Sequence, residues 1–345
     1  MSVRYKITSR DSLFSFLKSL MGDYQVYGPT ENEGPVETSN EYKFDRIYSL
    51  DQIALRHPPT MIPPKKYFFP EKEEMLESDG SDFREPELGD RFVIFGVHAC
   101  DINSFLILDK MFSKGPYSDY YYQRRRENSI VIGIDCEPTE YCFCKSMGEE
   151  RVESGFDLFL TEITGEDTYI VKIGSKIGEK LSDFEGFETV GRDFAVEVIE
   201  ESLKWKEEIS VETRNLSEST LQSFENEEIW EELGERCLGC GNCTMVCPCC
   251  NCFDVKDITN IRNHNVSRLR TWTACTLFEF AEVSGGNFRE SIKSRYRNWF
   301  FDKFRIFPRE IEEFGCVGCG RCIKACPVDI DPRLIIQKVV GEKVE

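Results

Sequence analysis

Histidine is scarce in this 345-residue chain: His57, His98 and His264 are the only three. That leaves little material for a histidine-built catalytic metal site. Basic charge is also short, with 43 Lys and Arg against 62 Asp and Glu and a net charge of -19. A protein that grips nucleic acid needs a cationic face to neutralise phosphates, so nucleic acid is not an expected partner. No window offers the roughly 18 uninterrupted apolar residues of a membrane-spanning helix. The opening MSVRYKITSRDSLFSF has no apolar run ahead of a small-residue cleavage site, so a cytoplasmic location is expected. Neither G-x-G-x-x-G after a strand nor G-x-x-x-x-G-K-[ST] occurs, which removes the dinucleotide and P-loop fingerprints. No serine-nucleophile motif is present either.

What the chain has in excess is cysteine, sixteen of them. In a cytoplasmic protein of this size a disulfide framework is not the expected use. Metal binding is. The cysteines are unevenly spread. Residues 1–225 carry four and read as an α/β domain. Residues 226–345 carry the other twelve and show little strand signal.

In the first part, Asp11 or Ser12 can cap a helix that places Leu13, Phe16, Leu17 and Leu20 on one face. HPPTMIPPKKYFFP is too proline-rich for a helix or a central strand. The stretch 71–90 reads as a solvated connection. RFVIFGV (91–97) and SIVIGID (129–135) are continuous apolar runs of the kind buried on both faces of a parallel sheet. INSFLILDKMF between them has helical periodicity, and this β-α-β order predicts adjacent parallel strands. FDLFLTEI and TYIVKIG read as an antiparallel pair, and 194–205 as a helix. The polar stretch 206–228 reads as the boundary. Beyond it, 276–283 and 288–304 read as helical, so the two cysteine motifs are expected in an α-helical ferredoxin arrangement.

Cys237, Cys240, Cys243 and Cys247, followed by Pro248, give C-x2-C-x2-C-x3-C-P, and Cys316, Cys319, Cys322 and Cys326, followed by Pro327, repeat it. In a two-cluster ferredoxin the fourth cysteine of each run serves the other cluster. One [4Fe–4S] cluster is therefore expected on Cys237, Cys240, Cys243 and Cys326, and another on Cys316, Cys319, Cys322 and Cys247. Zinc is the weaker alternative, since its sites use separated CxxC pairs. A third cluster is expected on Cys100, Cys136, Cys142 and Cys144. Cys100 and Cys136 follow the two apolar runs, and open parallel sheets bind ligands beyond their carboxyl ends. The competing reading is four small buried residues. His98 is expected to pack beside that site. Cys249, Cys250, Cys252 and Cys275 remain, either as a wall of soft thiols around one cluster or as part of a fourth.

The residues MIPPKKYFF, FGVHACD, EYCFC, CPCCNCFDVKD, RTWTAC, SGGNFR, SRYRN and CVGCGRCIKACP give most of the chain a resemblance to a known family. It resembles the β subunit of archaeal sulfhydrogenases (soluble nickel–iron hydrogenases) and the A subunit of anaerobic sulfite reductases. The resemblance implies an electron-carrying subunit in a soluble hetero-oligomer. It implies a flavin- and nucleotide-binding subunit on one side and a catalytic or further iron–sulfur subunit on the other, with hydrogenase ahead of sulfite reductase. It supports the cluster on Cys100, Cys136, Cys142 and Cys144, and it puts threonine where this chain has Cys249, which makes Cys249 the weakest ligand candidate. The expectation is a relay with no catalytic residues of its own. The alternative is a reductase subunit whose N-terminal cluster binds substrate.

Overall fold

The continuous apolar runs build the centre of an eight-stranded sheet. The computed structural model describes residues 4–32, 42–113, 115–262 and 265–341; His264 lies outside them. In chain order the strands are β1 (Arg4–Ser9), β2 (Gln25–Glu31), β3 (Tyr42–Arg46), β4 (Lys72–Ser78), β5 (Phe83–Arg84), β6 (Phe92–Val97), β7 (Ser129–Ile134), β8 (Leu158–Glu162), β9 (Thr168–Ile173) and β10 (Glu188–Thr189). The main sheet has the order β10-β1-β9-β8-β7-β6-β2-β3. Its central strands β2, β6, β7 and β8 are parallel. The flanking pairs are antiparallel, including the β8–β9 pair expected from the sequence.

Two helices cover opposite faces of this centre, α1 (Arg10–Asp23) and α2 (Ala99–Phe112). Leu13, Phe16, Leu17 and Leu20 of α1 pack with Val93, Phe95, Ile130 and Ile132. Ile102, Phe105 and Leu108 of α2 pack with Ile94, Val97 and Val131. Successive strand residues face opposite sides, so Val93 and Phe95 belong to one core and Ile94 to the other. Val97 should then follow Phe95's face, yet it joins Ile94. Gly96 is the reason: it has φ 76, and the register with β7 slips between Phe95 and Val97. A bulge of this kind re-aims the chain that follows it, here the turn carrying His98 and Cys100. The helix cap differs from expectation. Ser9, the last residue of β1, accepts from the Ser12 amide, and Asp11 lies inside the first turn.

The stretch 71–90 is largely exposed, as expected, but it is more than a connection. It holds β4 and β5, which pair with a hairpin from the cysteine-rich half, β11 (Phe253–Thr259) and β12 (Val266–Trp272), in the order β11-β12-β4-β5. Arg270 on β12 is buried and donates to Glu73 on β4 at 2.6 Å; it also meets Asp119, and Arg125 meets Glu73 at 2.7 Å. Glu73, the buried charge of this stretch, is thus neutralised by an arginine almost two hundred residues further along the sequence, while the other charges of 71–90 stay exposed.

The rest of residues 206–341 is largely helical. Trp230 is fully buried and its indole N–H donates to Ser223 O at 2.7 Å. It shares a core with Leu216, Phe300, Phe304, Ile336 and, from the first half, Phe143. The expected helix at 276–283 does not form. Gly285 and Gly286 instead fold a short two-stranded turn, Glu282–Val283 with Gly286–Asn287, preceded by one 3₁₀ turn. The helix expected over 288–304 runs from Ile292 to Phe301, capped by Ser291, then widens into a π-turn at Asp302–Ile306 and resumes at Phe307–Ile311. Among the described residues no helix is long and apolar enough to cross a membrane.

Candidate metal centres

The two cysteine motifs fold alike. In each, two glycines take left-handed backbone (Gly239 φ 63 and Gly241 φ 82; Gly318 φ 65 and Gly320 φ 72), and a four-residue helix follows, Asn242–Met245 or Arg321–Lys324. Side chains rarely tolerate such backbone, so glycine is what lets three cysteines curl around one point. One small cavity is lined by Cys237, Cys240, Cys243 and Cys326 together with Tyr296 and Trp299. A second is lined by Cys316, Cys319, Cys322 and Cys247 together with Cys249 and Lys303. Cys322 also reaches the first cavity. The fourth cysteine of each run thus stands at the other run's cavity.

Backbone amides point at the sulfurs. Gly239 N–H donates to Cys237 Sγ at 3.4 Å, Gly318 N–H to Cys316 Sγ at 3.5 Å and Ile330 N–H to Cys326 Sγ at 3.3 Å. Burial pushes the thiols of Cys243 and Cys316 up to about 12. Buried thiolates in such numbers need positive charge among them, and bound iron supplies it, because a coordinating thiol is deprotonated outright. Among the described residues no group of three or more His, Cys, Asp or Glu side chains is set for a single metal ion. A cube of iron and sulfide holds its thiolates farther apart than one ion does. The donor set, the cavities and the amide dipoles all suit that larger group.

The four N-terminal cysteines do come to one edge. β6 and β7 are neighbours, Cys100 lies in the first turn of α2, and Cys136 follows the end of β7. The chain then turns through Thr139, whose N–H donates to Cys142 Sγ at 3.3 Å, to Cys144 at the start of a short helix. Burial raises all three thiols of Cys100, Cys136 and Cys144. Cys142 repels a charge on Cys136, both repel one on Cys144, and Cys144 and Cys319 repel one on Cys100. Two residues before Cys100, His98 is buried and stacked on His57 at 4.1 Å, with neither ring nitrogen hydrogen-bonded.

This third group adjoins the second motif directly. Phe143 N–H donates to Gly318 O at 2.7 Å. A Cβ on Gly318 would lie 2.5 Å from Phe143 O, and one on Gly320 would lie 2.5 Å from Tyr141 O. Cys142 Sγ is 3.8 Å from Cys319 O. Arg321, inside the second motif, grips Asp101 beside Cys100 through two hydrogen bonds of 2.8 and 2.7 Å. The three thiol groups therefore follow one another: N-terminal, second motif, first motif.

Of the remaining cysteines, Cys249 forms wall of the second cavity, and Cys252 and Cys275 hydrogen-bond each other. The Lys303 ammonium stands between Cys247 Sγ (3.1 Å) and Cys250 Sγ (3.3 Å). Sequence reasoning overlooked Lys303, Lys65, Asp101 and Arg321. Only Arg321 had a signal, a charged residue inside C-G-R-C.

Residues 236–330 match the family model of the 4Fe-4S dicluster domain. The chain is an iron–sulfur protein that binds [4Fe–4S] clusters and carries electrons. It is 36% identical over 317 residues to sulfhydrogenase 2 subunit beta of Pyrococcus furiosus, a match covering 89% of this chain and 91% of that relative. The chain belongs to the sulfhydrogenase beta-subunit family. No solved structure matches it.

Proposed function

We propose that the chain relays single electrons through three [4Fe–4S] clusters, between a flavin- and nucleotide-binding subunit and a catalytic hydrogenase subunit of a hetero-oligomer. Cys237, Cys240, Cys243 and Cys326 hold one cluster. Cys316, Cys319, Cys322 and Cys247 hold the next, and Cys100, Cys136, Cys142 and Cys144 the third. When bound, the clusters supply one-electron redox chemistry. The protein's part is to fix their spacing, exclude water and tune each potential through burial and hydrogen bonds to sulfur.

The observation that carries the reading is contiguity: each thiol group meets the next through direct contacts, with Cys319 beside the N-terminal four. Burial of Cys100, Cys142 and Cys144 favours a relay over a substrate-reducing site, which needs an open approach. At the other end Cys240 is exposed, and Leu238 beside it is 61% exposed. That end suits a docking face for a redox partner.

Anaerobically purified protein should carry about twelve irons, four for each cluster. Cys142→Ser should bring the count to about eight while the ferredoxin-like signals persist. Wild-type protein with about eight irons would remove the third cluster. Mass spectrometry of co-purifying chains tests the partners, and the absence of both a flavoprotein and a hydrogenase subunit would refute that part.

A further inference from the structure

Lys303 is 4% exposed, although a lysine pays heavily for leaving water. It sits in the π-turn Asp302–Ile306, a widening of the helix of the kind often found at functional sites. Its three ammonium protons have three acceptors: Cys247 Sγ at 3.1 Å, Cys250 Sγ at 3.3 Å and Gly315 O at 2.8 Å. Its own carbonyl accepts from Gly315 N–H at 2.8 Å. Lys303 thus joins the last cysteine of the first motif to the residue before the second. No carboxylate shares those bonds. A second buried ammonium, Lys65, donates to Cys250 O at 2.5 Å and lies 4.4 Å from the Trp272 ring centroid.

The other two thiol groups lack this arrangement. Beside the first, Arg295 spends its hydrogen bonds on the backbone oxygens of Thr276, Arg289 and Glu290. Beside the N-terminal group, Arg321 is matched by Asp101. Among the described residues, Lys303 is the cation that donates directly to a motif thiol.

We propose that Lys303 raises the reduction potential of the central cluster, the one held by Cys316, Cys319, Cys322 and Cys247, above both of its neighbours. This rests on the ligand assignment proposed above. A cluster gains one negative charge when it accepts an electron from the neighbouring cluster, which is oxidised by one. A buried ammonium on a ligand sulfur favours the reduced form, and no bond or proton need move. Net charge and hydrogen bonds to sulfur are the levers that set such potentials. The middle of the relay then holds an electron at rest, so a two-electron partner always meets a chain with one electron in store.

The test is an EPR-monitored redox titration of the full-length, cluster-loaded protein. In Lys303→Met, one cluster should lose at least tenfold in its reduced-to-oxidised ratio at fixed potential, equivalent to a downward shift of about 59 mV for one electron. Lys303→Arg should restore most of the shift, and Lys293→Met, on the surface, should leave all three potentials unchanged. Three titrating clusters with no shift in Lys303→Met would overturn the proposal and leave the relay intact. Iron content near eight in the wild type would instead count against the third cluster alone. Should Lys303→Met fail to fold, wild-type protein labelled with ¹⁵N-lysine decides the matter. Pulsed EPR should find lysine nitrogen coupled to the cluster that reduces first, and coupling absent from that cluster refutes the assignment.

Discussion

Replacing Asp101 by alanine probes the joint between the two halves at its most expensive point. Asp101 and Arg321 are 1% and 3% exposed. The guanidinium gives two hydrogen bonds to the carboxylate and a third, from Nε, to Thr60 O at 2.6 Å. Asp101→Ala leaves a buried cation with one neutral partner. Breaking a buried pair on one side costs about 3–5 kcal/mol, because an uncompensated charge stays behind. If that cost falls on the native state alone, the barrier to opening drops by the same amount. The rate of opening then rises about 150- to 5,000-fold. The assay is the anaerobic decay of visible cluster absorption at a fixed guanidinium concentration. Kinetics are the right readout, since cluster loss makes unfolding irreversible. The double variant Asp101→Leu/Arg321→Met removes both charges and should recover most of the loss, short of about 1–3 kcal/mol for the stranded Thr60 carbonyl. A decay rate for Asp101→Ala within about threefold of wild type, under 1 kcal/mol, would refute the reasoning. So would a double variant that decays as fast as the single one.

Gly318→Ala should lower iron content and stability together, since its Cβ would meet Phe143 O at 2.5 Å and the residue has φ 65. Gly191→Ala, with open space around it, should change neither. Burial raises the Glu149 carboxyl to about 7, with Glu313 adding to the shift. Its folded value lies above its unfolded one, so its contribution is most favourable below about pH 4.3, the ordinary Glu value, and is lost as pH rises toward 7. Glu149→Gln should therefore gain thermal stability over wild type at pH 8 but little at pH 5; an equal effect at both pH values would count against it. Leu238→Glu should reduce co-purification of a partner while iron content holds, and unchanged co-purification would move the docking face elsewhere.

The features legible in the sequence are those fixed by near neighbours. Motif spacing places three thiols on one short loop, and unbroken apolar runs mark β6 and β7 as strands covered on both sides. What escaped depends on distant partners. Lys72–Ser78 carries charge at four of its seven positions and reads as surface until Arg270, far along the chain, arrives to neutralise Glu73. The true cap of α1 is the final residue of a strand, so the helix signal began too late. Apolar residues in 276–283 imitated a helix, and the glycine pair after them decided for a turn. Lys303 is buried within the π-turn Asp302–Ile306, a feature with no signature in composition.

These same long-range contacts bear on how the relay can move. Electron transfer weakens steeply with distance, so a hinge between residues 1–225 and 226–345 would act as a switch. Such a hinge would have to part Phe143 from Gly318, break the Asp101–Arg321 pair and unpair β4 from β12. Phe143 would also leave a core that it shares with Trp230 and Phe300. Each of these contacts is buried or continuous backbone pairing, and none is a surface ion pair of the weak kind. Opening would therefore cost a large part of the free energy that keeps a domain folded, which is of the order of 5–15 kcal/mol. Control of the current is better placed where little is buried. The exposed rim at Leu238 and Cys240 is such a place, and partner docking there can start or stop transfer without disturbing the spacing inside.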